Sequence, residues 1–184
     1  IHSRARAILS DHLIPAPPYQ FSKAMIAGAY TKNIQDVYDE ILFHGFQLRG
    51  LRKIVSCSTR GMVAHISSAP GPREWISSPL RDRWIADPLV LDCAFQMAIL
   101  WCFEEKEIVS LPSYVSSYRQ YRHQFPTEGV TAVLEASEVS NHKLQGDFTF
   151  YDSSGEIVAR LTGYQAILDA SLLKSFKPQY RALA

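Results

Sequence analysis

The chain is short of cysteine: Cys57, Cys93 and Cys102 are odd in number and none forms a CxxC pair. Neither a disulfide framework nor a zinc site is indicated, and no metal is expected. Two of the three lie in one apolar stretch, where a thiol reads as a small core residue in a reducing compartment. Nor does either charge dominate. Nineteen Lys and Arg against 18 Asp and Glu leave +1, which gives no electrostatic footprint for nucleic acid or a membrane surface, so neither is expected as a partner. The apolar run is too short to cross a bilayer. The chain opens "IHSRARAILSDHLIPAPPYQF" with no Met and no leader pattern, which reads as the middle of a longer, cytoplasmic polypeptide.

What is there has the profile of an ordinary globular protein. At 184 residues, 47% apolar and 20% charged, the chain is long enough to build one real core. Residues 1–32 read as the end of a preceding unit, with a strand-like segment at Ile1 to Leu9 and a stiff proline-rich linker at Pro15 to Pro18. One domain spans 33–170, and 171–184 form a tail that either docks as a helix fragment or frays.

Within the domain, "VLDCAFQMAILWCF" at residues 90–103 is apolar around the full circumference of a helix. Asp87 suits the cap, Pro88 the first helical position, and Glu104-Glu105-Lys106 marks the exit to solvent. The helix nonetheless carries Asp92 and Gln96 at i and i+4, on one face, where the amide can orient the carboxyl. A carboxylate kept among hydrocarbon must be hydrogen-bonded, neutralised or set beside a cavity. Two readings stay open: a chemical site, or a buried polar pair that fixes a neighbouring loop.

The flanking segments read mainly as strands. Asn33 to Phe43 predicts a short helix with Val37, Tyr38, Ile41 and Leu42 on one side. Strands are expected at 48–57 and 61–67, then an irregular connector from Ser68 to Pro88 in which Trp75 and Trp84 are packing anchors over the sheet. After the helix, Tyr114 to Phe125, Val130 to Val139, Leu144 to Tyr151 and Ile157 to Leu168 read as an antiparallel meander. A helix with no polar face needs enclosure by a curled sheet, so the expected fold is α+β of the hotdog kind, an antiparallel sheet wrapped around one long helix.

Three pieces then resemble motifs of one family in order. "LDCAFQ" is similar to the DxxxQ motif of polyketide synthase dehydratase domains, which are double hotdogs. "LFHGFQLRGL" (42–51) is similar to that family's YGPxFQG loop, and "LPSYV" (111–115) to its LPFxW strand. The resemblance covers residues 35–168 and implies the C-terminal hotdog half of such a domain, in a polyketide or fatty-acid megasynthase. It implies that Asp92 acts as general acid in eliminating water from a 3-hydroxyacyl thioester, with Gln96 orienting it. It also implies substrate contacts from His44, Gly45, Pro112 and Tyr114. No cofactor is implied beyond the phosphopantetheine arm of a partner acyl carrier protein, and the other expected partner is the preceding hotdog half or a second copy of the chain.

Departures accompany the matches. His44-Gly45-Phe46 stands in place of Tyr-Gly-Pro, Arg49 in place of the loop glutamine, and Ser113 and Val115 in place of the strand's aromatics. His44 would then either bond substrate at the pocket entrance or cap a turn, and Gly45 and Gly50 would serve backbone conformation. The family's base, a histidine in HxxxGxxxxP, has no counterpart: His142 has Gly146 but Tyr151 where proline is required. The isolated chain is therefore expected to be inactive. Arg49, Arg52 and Lys53, or Arg119 and Arg122, form either a carrier-protein patch or solvated strand faces. The alternatives are a non-catalytic acyl-binding or assembly module, and a hotdog thioesterase in which the acidic residue activates water.

Overall fold

The computed structural model describes residues 3–18, 28–140 and 142–176. A short helix α1 (Ile34–Asp36) runs on as a π turn (Val37–Ile41), and a 3₁₀ turn (Phe46–Leu48) leads into strands β1 (Leu51–Ser58) and β2 (Gly61–Ile66). A single turn α2 (Pro72–Trp75) interrupts the connector before the long helix α3 (Pro88–Lys106). Five strands follow: β3 (Ser110–Tyr114), β4 (Ser117–Gln120), β5 (Val130–Val139), β6 (Lys143–Tyr151) and β7 (Ile157–Leu168). A last helix, α4 (Leu173–Phe176), closes the described chain. The strands form one antiparallel sheet in the order β1-β2-β5-β6-β7-β3, with β4 also on β7, and α3 packs against it. This is the expected hotdog arrangement.

Alternation along the strands builds a core on each face of the sheet. Met62, Ala64, Ala132 and Leu134 point to α3, whereas Val63 and Val133 meet Tyr151 and Ile157 on the opposite face. The helix is covered in turn. Seven consecutive residues, Gln96 to Cys102, are all buried, and at 3.6 residues per turn such a run leaves no side facing water. Asp87 accepts from Val90 N at 2.9 Å as the N-cap, and Pro88 holds the first helical position, as their types suggested. Glu107, at φ 54, ends the helix in the left-handed conformation.

Several boundaries differ from the sequence reading. Residues 3–9 lie in no strand, and Ile8 and Leu9 are exposed; residues 1–2 lie outside the described residues. The domain takes hold before residue 33, since Ala29 bridges Ser56 and Tyr30 donates to Glu104 at 2.8 Å. The single strand expected at Tyr114 to Phe125 is two shorter ones starting at Ser110. The break falls where Gly163 of β7 adopts φ 61, and a Cβ there would lie 2.7 Å from Ser116 Cβ. The helix of Asn33 to Phe43 stops at Ile41. Of the two connector tryptophans, Trp75 packs on the core, while Trp84 donates to Pro70 O at 2.7 Å and so braces the connector itself. Within the tail, Phe176 is buried and meets Phe43 edge-on; residues 177–184 lie outside the described residues.

Candidate active site

The site grows from the N-terminal half of α3, where burial is incomplete. Leu91, Asp92 and Phe95 are partly exposed, and burial becomes continuous only from Gln96 onward. The sequence reading placed the carboxylate in hydrocarbon. Instead, the Asp92 side chain is 31% exposed and the fully buried polar residue is Gln96. Asp92 precedes the part of the helix that the sheet and the 42–51 loop seal, so it stands at the edge of the core.

Gln96 is held from every side. Its Nε2 donates to Asp92 Oδ2 at 2.7 Å and to Leu48 O at 2.7 Å, and its Oε1 accepts from Tyr38 Oη at 2.8 Å. Tyr38 Oη in turn accepts from Leu51 N at 2.9 Å. Because a main-chain N–H can only donate, the tyrosine must pass its own hydrogen to Gln96, and the amide orientation follows. Asp92 Oδ2 is thereby fixed as an acceptor. A proton on Asp92 must reside on Oδ1.

The loop supplies the rest. Gly50 lies so close to α3 that a Cβ would sit 2.6 Å from Cys93 Sγ and 2.7 Å from Leu89 Cγ. That close approach brings Leu48 O onto Gln96, so Gly50 is needed for space. Gly45 is not: its φ is −67° and a Cβ would meet nothing within 4 Å. Conformational need, the reason expected for both glycines, applies to neither. His44 is buried, stacks on Phe43 at 4.3 Å, and places Nε2 3.8 Å from Asp92 Oδ2. Burial pushes its protonation below the ordinary histidine range, with the Asp92 charge pulling the other way. Arg49 lies over the Tyr38 ring at 5.2 Å and reaches Asp39 Oδ1 at 3.3 Å. Arg122 bonds Asp152 at 2.7 Å, so two of the arginines weighed as a docking patch are engaged within the chain.

Asp92, Gln96 and His44 are therefore brought together. Pro112 and Tyr114 are not: both are exposed on the edge strand β3, opposite Ala166 and Gln165, and no hydrogen bond or ring contact among the described residues joins them to Asp92. The residue missed from sequence is Tyr38, which counted only as part of an apolar helix face. Its signal was available, since a buried tyrosine hydroxyl needs a partner. Among the described residues no group of three His, Cys, Asp or Glu could hold a metal ion, and no helix is long and apolar enough to cross a membrane.

A seven-stranded antiparallel sheet packed on one long helix, with a carboxyl–amide pair on that helix, defines a hotdog protein with a candidate acid–base site. Residues 27–167 match the family described as polyketide synthase dehydratase N-terminal domain, and the chain belongs to the polyketide synthase dehydratase family. It is similar to a polyunsaturated fatty acid synthase of Thraustochytrium sp. (strain ATCC 26185 / S-3), 27% identical over 123 residues, which are 66% of this chain and 4% of that protein. Among solved structures it resembles the dehydratase domain of RzxB from Pseudomonas fluorescens, with TM-score 0.62, 18% identity, and coverage of 83% of this chain and 54% of that one. A trans-AT polyketide synthase dehydratase domain from Brevibacillus brevis gives TM-score 0.65 and 16% identity, covering 85% and 55%. At these identities the likeness speaks for the fold. The chain spans about half the length of the structures it matches.

Proposed function

We propose that this chain is the acid-bearing hotdog half of a dehydratase in a polyketide or fatty-acid synthase, acting on 3-hydroxyacyl thioesters. The observation that carries the reading is the fixed pair: Gln96 donates to Asp92 Oδ2 at 2.7 Å while the carboxyl remains partly open to solvent. Hydroxide is a poor leaving group. As the Cβ–O bond breaks, Asp92 gives its Oδ1 proton to the departing oxygen and water leaves. A base on the other hotdog half takes the proton from Cα, and the C–H electron pair becomes the double bond. The base is assigned to another half because no HxxxGxxxxP stretch lies in this chain. The matched family description names the N-terminal domain, whereas DxxxQ at Asp92 and Gln96 favours the second half; we give the residues more weight because the chemistry depends on them. The substrate would arrive on the phosphopantetheine arm of an acyl carrier protein, with no cofactor of the chain's own. The missing base would come from a preceding hotdog or a second copy.

The test is Asp92→Asn in the complete polypeptide. Asparagine keeps an oxygen that can accept from Gln96 but has no proton to deliver, so dehydration should fall by on the order of 10² to 10⁴ with folding intact. An unchanged rate refutes the role.

A further inference from the structure

We propose that His44 is a positioning residue for Asp92: a neutral imidazole, carrying its hydrogen on Nε2, which together with Gln96 occupies Asp92 Oδ2 and leaves Oδ1 as the oxygen that holds and delivers a proton. The use made of that proton rests on the dehydratase reading; the pairing itself does not.

The ring is nearly sealed, 8% exposed, and its Nδ1 has no hydrogen-bond partner. An orphaned buried N–H is costlier than an under-satisfied acceptor, so the unpartnered nitrogen is the one without hydrogen. The hydrogen therefore sits on Nε2, the atom 3.8 Å from Asp92 Oδ2. At that separation the carboxylate's charge is felt but no hydrogen bond has closed. An imidazolium would make Nδ1 a donor with nothing to receive it. The other surroundings add no second carboxylate at the ring. Phe43 stacks on it, and Phe176 of α4 lies behind Phe43. Arg49 donates through Nε to the His44 carbonyl oxygen at 3.3 Å while its NH1 reaches Asp39, so its charge faces away from the imidazole. Tyr38 and Cys93 are the remaining titratable groups beside Asp92, and burial raises both, keeping them neutral. Gln96 and His44 thus address the same carboxylate oxygen from two different elements.

The pairing is tested on the 184-residue chain by ¹⁵N imidazole NMR across pH. His44 should show the Nε2–H tautomer at neutral pH and protonate below about 6.5, the ordinary value. In Asp92→Asn it should protonate lower still, because the one charge favouring the imidazolium has gone. An Nδ1–H tautomer, or a midpoint indifferent to Asp92→Asn, overturns the proposal, and neither measurement needs a substitution at His44. In the complete polypeptide, His44→Phe should lower kcat roughly 10- to 100-fold with KM little changed, the loss expected for one hydrogen bond to a charged group. His44→Gln, whose amide nitrogen can stand where Nε2 stood, should recover most of it, and equal losses in the two variants also overturn the proposal. If the NMR pairing is present but Asp92→Asn leaves dehydration unchanged, the functional reading fails and the pairing stands.

Discussion

Replacing Gln96 by leucine separates the roles of the two polar residues on α3, because they are anchored so differently. Leucine is close in size, so little cavity is made and the loss falls on hydrogen bonds. The Tyr38 hydroxyl, 3% exposed as a residue, loses the acceptor 2.8 Å away, and Leu48 O loses a 2.7 Å donor but retains Gly50 N at 2.9 Å. One stranded buried group costs about 1–3 kcal/mol and a lost bond about 1 kcal/mol more, so a destabilisation of roughly 2–4 kcal/mol is expected. That is a large share of the roughly 5–15 kcal/mol by which a typical domain is stable, and a loss of about 3 kcal/mol would lower Tm by about 6–12 °C at this size. Asp92→Asn, at a partly exposed site with the Gln96 bond still available, should cost under about 1 kcal/mol. Urea unfolding of both variants measures the contrast. In a Tyr38→Phe background the Gln96→Leu loss should shrink by about 1 kcal/mol, since the two residues share one bond. A Gln96→Leu loss below about 0.5 kcal/mol, or strict additivity with Tyr38→Phe, would refute the view that this network fixes the loop onto the helix.

Two further outcomes follow from the same geometry. Gly50→Ala should destabilise by about 1–3 kcal/mol, because its Cβ would collide with Cys93 and Leu89, while Gly45→Ala, facing open space, should leave Tm nearly unchanged. Asp152 is held below the ordinary carboxylate range: burial pulls upward, but the Ser154 hydroxyl, the Glu156 N–H, the Arg122 guanidinium and the Ser154 N–H outweigh it. With a depressed folded pKa, its stabilisation is present above the unfolded value near 4 and is lost as pH falls through the folded one, so the stability gap between the protein and Asp152→Asn should narrow from about pH 6 to about pH 3. A constant gap would assign Asp152 a purely neutral hydrogen-bonding role.

The sequence by itself determined the central helix, its cap and its enclosure, because a run with no polar side admits one kind of solution: Asp87, Pro88 and the apolar stretch to Phe103 are local signals that tertiary contacts reinforce. It likewise determined β5, β6 and β7, whose alternation and turns are local, and it placed Asp92 and Gln96 on one face through the helical period alone. Three things were decided only by the tertiary structure. The split of β3 from β4 depends on Gly163 in a strand some fifty positions on, paired across the sheet. Which of the two polar residues is buried depends on where the loop and sheet close over α3, a boundary that no single segment encodes. The convergence of Tyr38, Leu48 and His44 around the Asp92–Gln96 pair depends on a backbone approach that only Gly50 allows, so residues far apart in the chain acquire a shared role through packing that their local patterns do not record.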